Sequence, residues 1–142
     1  YNAEEFRFVY ESMVTPPSVR AVHAKSGVQR VLKNEDVPGY DPAKYRTERL
    51  MAPAADGTLI PVSLVCRADL DRSKPQPFHL YAYGSYGISE SASFRSSRVS
   101  LLDRGVIFAT AHIRGGGESD AHTAAGKRFR LSKQPDVSAR RL

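Results

Sequence analysis

Leu80-Tyr81-Ala82-Tyr83-Gly84-Ser85-Tyr86-Gly87 and, further on, Arg114-Gly115-Gly116-Gly117-Glu118 decide how this chain is read. Each closes a strand-like run: residues 78–83 before the first, and Val106-Ile107-Phe108-Ala109-Thr110-Ala111 before the second. Between them, residues 97–104 have helical spacing, with Val99, Leu101 and Leu102 apolar and Gly105 placed as the C′ cap. Strand, helix, strand predicts a parallel pair with a right-handed crossover. Two parallel strands that both end in glycine loops place those loops together, where open α/β sheets build their sites.

Upstream, Ala55-Asp56-Gly57-Thr58 lies between residues 46–53 and the run 59–66. Asp-Gly between two strand-like runs predicts an antiparallel hairpin whose turn needs positive φ. Before it, residues 34–45 carry two prolines, a glycine and several acidic or amide residues, the composition of a connector. Residues 1–33 read as three short strands at 6–10, 19–23 and 28–32, an antiparallel meander of the size of one propeller blade. Such a blade has faces that only neighbouring blades bury.

The 142 residues carry a formal charge of +6. The excess is concentrated in residues 114–142, which hold seven Lys/Arg against three Asp/Glu. No aromatic stacking pattern accompanies them beyond Phe129, so nucleic acid is not an expected partner. No run approaches the ~18 apolar residues of a membrane span. The single cysteine, Cys66, precludes an internal disulfide and a multi-cysteine metal site. The residues point to no cofactor and no metal. The first residue is Tyr1, and the expectation is either a trimmed start or an internal piece of a longer polypeptide.

The segments Val37-Pro38-Gly39-Tyr40-Asp41-Pro42, Tyr45-Arg46-Thr47-Glu48-Arg49, Ala55-Asp56-Gly57, 80–89, 97–105 and Ala111-His112-Ile113-Arg114-Gly115-Gly116-Gly117-Glu118 carry a resemblance in their order and spacing. Together they resemble the prolyl oligopeptidase family of serine peptidases at its domain junction. Ser85-Tyr86-Gly87-Ile88-Ser89 looks more like the oligopeptidase B branch. The resemblance implies an α/β-hydrolase domain (its N-terminal part, with a partly parallel sheet) preceded by the last antiparallel strands of a β-propeller. It divides the chain into terminal propeller strands (1–33), connector (34–45), start of the catalytic domain (46–118) and an unassigned tail (119–142). It further implies a serine endopeptidase of short peptides that cleaves after Arg or Lys. Such an enzyme is expected in the cytoplasm, and the remainder of the same polypeptide is needed for its fold.

By the same resemblance, Tyr83 takes the place of the tyrosine whose hydroxyl helps form the oxyanion hole. The chemistry agrees, since acyl transfer passes through an oxyanion that a preorganised donor stabilises. In α/β-hydrolases one such donor comes from the loop after the third strand. Gly84, Arg114, Gly115, Gly116, Gly117 and Glu118 read as supporting loops, with Arg114 and Glu118 as a structural ion pair holding the turn. The triple glycine also suits an anion, but it lacks the Lys-Ser/Thr of a P-loop. Ala82 stands where the family usually has glycine, and after Glu118 the family's tryptophan is absent, since the chain has none.

Nucleophile, acid and base are not expected in this chain. Gly87-Ile88-Ser89-Glu90-Ser91 misses the last glycine of G-x-S-x-G, and His112 and His122 have no evident nucleophile partner. Tyr86 reads as packing or as substrate-facing surface. The alternative reading is a non-catalytic hydrolase remnant that serves as an interaction or structural module.

Overall fold

A computed structural model describes residues 3–117 of the chain. The first sheet is the meander β1 (Glu5–Tyr10), β2 (Ser18–His23) and β3 (Gln29–Asn34), antiparallel throughout. Each strand matches its expected position to within about two residues, and a bulge lies between Val19 and Arg20. β1 and β3 are largely exposed, leaving Phe6, Phe8, Val9, Tyr10, Val31 and Leu32 open to solvent. Three strands form a single layer, which needs a second layer across it to bury its faces.

The second sheet has the order β4 (Tyr45–Pro53), β5 (Leu59–Arg67), β7 (Ile107–Ala111), β6 (Phe78–Tyr81). β4 and β5 form the expected hairpin, closed by residues 54–58, with Gly57 at φ +81°. β6 and β7 pair in parallel, joined through α1 (Ser96–Asp103). β5 sits between β4 and β7, and Ser63, Leu64, Val65 and Cys66 are buried in succession. β4, at the sheet edge, alternates between covered and exposed positions.

α1 ends as its sequence requires. The Gly105 N–H donates to the Leu102 carbonyl (2.8 Å) and the Val106 N–H to that of Leu101 (3.1 Å), with Gly105 at φ +82°. That is a Schellman cap, which turns the chain straight into β7. The helix runs one residue earlier than expected, because Arg104 occupies the cap.

The core of this sheet is Met13, Tyr45, Val65, Leu102 and Phe108, with Val14, Tyr40, Ala92 and Val99 packed around them. Met13 and Val14 belong to the loop after β1, so the first sheet contributes to the core beneath the second. The connector does the same: Tyr40 stacks on Tyr45 (5.3 Å between ring centres) and donates its hydroxyl to the Val14 carbonyl at 2.6 Å.

The Tyr45 hydroxyl donates to Asp103 on α1 at 2.6 Å. Burial, and then that hydrogen bond to the carboxylate, push the Tyr45 phenol up to about 12 from 10.0. A raised folded-state value makes the neutral phenol a stabilising species below pH 10, lost as the pH climbs through 12. We therefore expect the melting temperature of a folded protein carrying this segment to fall steeply over that window. Tyr45→Phe should flatten the fall, because no phenolate then has to be buried. Equal alkaline slopes for the two proteins would remove Tyr45 from this role.

Candidate functional site

β6 and β7 are parallel, so their carboxyl ends lie on one edge of the sheet and deliver two loops there. β6 ends at Tyr81, two residues short of expectation. Ala82 and Tyr83 are thus already loop, and Tyr83 is not held in a ladder. Tyr81 and Tyr83 differ in how they are engaged. The Tyr81 hydroxyl donates to Glu90 at 3.3 Å, and burial followed by the Glu90 charge raises its phenol above the ordinary value. Tyr83 is 38% exposed, and among the described residues its hydroxyl has no hydrogen-bond partner.

The two glycine loops are fitted backbone to backbone. Gly84 has φ +61°, and a Cβ there would overlap the Ile113 side chain and come within 2.7 Å of the Arg114 carbonyl oxygen. Gly115 has φ +94°, and its Cβ would strike the Gly84 carbonyl. A Cβ on Gly117 would lie 2.6 Å from Ser89 Oγ and 3.0 Å from the Gly87 carbonyl oxygen. The Gly87 N–H donates to the Gly115 carbonyl at 2.9 Å. These contacts account for Gly84, Gly115 and Gly117 as a matched surface, without an anion. Gly116 is buried in the same turn.

Tyr86 does not pack against the described residues. It is 89% exposed and sits at φ +54°, a conformation that costs a non-glycine residue about 1–2 kcal/mol. With Gly87 at φ +66° it forms the centre of a turn closed by Ile88 N–H to the Ser85 carbonyl at 3.1 Å. The loop holds this ring out into solvent.

Arg114 is anchored on the β4–β5 turn. Its guanidinium bonds Asp56 Oδ2 in the β4–β5 turn at 2.5 Å, with the Arg114 side chain only 19% exposed. The same carboxylate accepts the Thr58 N–H at 3.1 Å. These bonds, Arg114 first, hold the Asp56 carboxyl at about 2. Glu118, the expected partner, lies outside the described residues, as does His122. Asp56 was missed because Asp-Gly is fully explained by the turn. The remaining signal is topological: β5 runs antiparallel to β7, with Val62 opposite Ala111, which brings the start of β5 to the end of β7.

His112 does have a serine beside it. Its Nε2 lies 2.9 Å from the Ser63 hydroxyl across β5 and β7, and its backbone N–H donates to the Pro61 carbonyl at 2.9 Å. Both side chains belong to residues only 6% exposed, and Ser63 lies within a strand. An attacking hydroxyl must reach a substrate carbon, and this one is sealed inside the sheet. The pair is a cross-strand tie. Among the described residues no three His, Cys, Asp or Glu side chains gather as a metal site, and no helix is long and apolar enough to cross a membrane.

No family profile matches the chain. Individual proteins do. Dipeptidyl aminopeptidase BI of Pseudoxanthomonas mexicana is 54% identical over 113 residues, which is 79% of this chain and 16% of that protein. A prolyl endopeptidase of Elizabethkingia miricola is 30% identical over 115 residues, 81% of this chain and 16% of the relative. The structure of oligopeptidase B from Leishmania major superposes with a TM-score of 0.72 at 44% identity, over 82% of this chain and 16% of that one. The chain spans about 16% of the length of these relatives.

Proposed function

We propose, taking as premise the homology of this chain to peptidases of the prolyl oligopeptidase family, that it is the junction segment of a serine-type oligopeptidase. In this reading residues 1–33 are the end of the propeller, 34–45 the connector and 46–118 the opening of the α/β-hydrolase domain. Tyr83 supplies one oxyanion-hole donor. When a serine oxygen bonds to the scissile carbon, its proton passes to the general base and the carbonyl π electrons move onto the carbonyl oxygen. The phenolic O–H donates to that oxygen as it becomes anionic. Serine, general base and acid come from polypeptide beyond this segment. The substrate is a short peptide, cut after Arg or Lys as in the oligopeptidase B branch, and the ring of Tyr86 faces it.

One observation carries the proposal. Tyr83 stands at the carboxyl edge of the parallel pair with a hydroxyl that has no hydrogen-bond partner among the described residues, on a loop seated glycine against glycine on its neighbour. A preorganised donor needs such a seat, because catalysis gains only from dipoles that need no reorganisation.

The test compares two proteins. One is the 142-residue chain alone; the other is full-length dipeptidyl aminopeptidase BI with its matching segment replaced by that of this chain. We expect the chain alone not to hydrolyse a peptide amide and the chimera to do so. Turnover by the chain alone that disappears in Ser63→Ala or Ser89→Ala, or a folded but inert chimera, would sink the proposal.

A further inference from the structure

We propose that the Asp56–Arg114 ion pair is a positioning device for the Tyr83 hydroxyl, acting from the hairpin turn at the same sheet edge. This rests on the oxyanion reading of Tyr83 given above.

The connection is a continuous series of contacts. Asp56 is fixed within its own turn by the Thr58 N–H, so its carboxylate is a stationary point. Arg114 reaches it with Nη1 and buries most of its side chain in doing so. Immediately before Arg114, the chain is fixed to β5 through the His112 N–H on the Pro61 carbonyl and through the Ser63–His112 side-chain contact. Immediately after it, the Gly115 carbonyl accepts the Gly87 N–H, and Gly115 leaves no room for a Cβ beside the Gly84 carbonyl. Gly84 is the residue next to Tyr83. The loop bearing Tyr83 therefore rests on a turn clamped on one side by strand pairing and on the other by Asp56.

Stability and position separate here. An ion pair whose acidic partner is half exposed contributes little to folding, because solvent screens it. The geometry of a reacting group is far more sensitive, since a displacement of about 1 Å costs on the order of 10²-fold in rate. A partly exposed salt bridge can thus matter little to the melt and a great deal to turnover.

The experiment is a double-mutant cycle in the full-length chimera, with kcat, KM and melting temperature measured for Asp56→Asn, Tyr83→Phe and the combination. Asn keeps an acceptor for the Thr58 N–H and removes the charge that holds Arg114. Asp56→Asn is expected to lower kcat by about tenfold or more, with KM changed less than about threefold and little change in the melt. Combined with Tyr83→Phe it should lower kcat no further, because a hydroxyl that is absent cannot be misplaced. Arg114→Lys, which keeps the charge but loses the planar fork, should fall between wild type and Asp56→Asn.

Full additivity of the two substitutions would overturn the proposal, as would unchanged kcat in Asp56→Asn. A drop in melting temperature beyond about 5 °C would do the same, making the pair a stability element. Failure of the oxyanion reading looks different: Tyr83→Phe alone would then leave kcat intact, whatever Asp56→Asn does.

Discussion

Tyr83→Phe in the full-length chimera is expected to lower kcat by about 10²–10³ while KM changes little. The phenolic hydrogen meets an oxygen that carries full negative charge only in the tetrahedral state. Its loss is therefore felt in the transition state and hardly in the bound substrate. Phenylalanine keeps the ring and its contacts, so the change isolates one O–H. Tyr81→Phe is the control: its hydroxyl already donates to Glu90, and it should leave kcat nearly unchanged. If Tyr83→Phe keeps kcat within about twofold, Tyr83 is a partly exposed aromatic with no part in the chemistry.

Gly115→Ala should be the most damaging small substitution in the segment. Its φ of +94° lies outside the region open to L side chains, and the new methyl would occupy the position of the Gly84 carbonyl. Backbone is the obstacle, so no rotamer change relieves it, and the two loops must separate. The left-handed conformation costs about 1–2 kcal/mol, and the forced separation adds about 1–3 kcal/mol of overpacking. Gly57→Ala is the matched control, because Gly57 has φ +81° with nothing within 4 Å of its would-be Cβ. It suffers the conformational cost alone. In the chimera, Gly115→Ala is expected to lower the melting temperature clearly more than Gly57→Ala and to cut kcat at least tenfold. Equal melting temperatures and equal kcat would mean that the loops are not seated on each other as described.

Both experiments concern loops whose glycines are visible in the sequence but whose pairing is not. Gly84 and Gly115 each announce a turn; that one fills the space beside the other's carbonyl emerges only when β6 and β7 lie side by side. Tyr83 was legible for a similar mixture of reasons. A strand-like run ending in glycine located it; the role proposed for it comes from the family resemblance. The early end of β6 at Tyr81 was not legible, because Ala82 and Tyr83 suit a strand as well as a loop.

The local architecture of the chain was determined by its sequence alone. Period-two runs, the Asp56-Gly57 turn and the Leu102-to-Gly105 cap describe interactions among near neighbours, and they appear where those neighbours require them. Tertiary structure decided what near neighbours cannot. Met13, in a loop between strands of the first sheet, completes the core beneath the second. His112 found Ser63 because β5 lies beside β7. Arg114 found Asp56 because antiparallel pairing returns the start of β5 to the end of β7. The Ser63–His112 and Asp56–Arg114 contacts span 49 and 58 residues of chain. A side chain's own sequence context fixes its backbone; which distant group it meets depends on strand order, and strand order follows from burying the whole set of apolar faces at once.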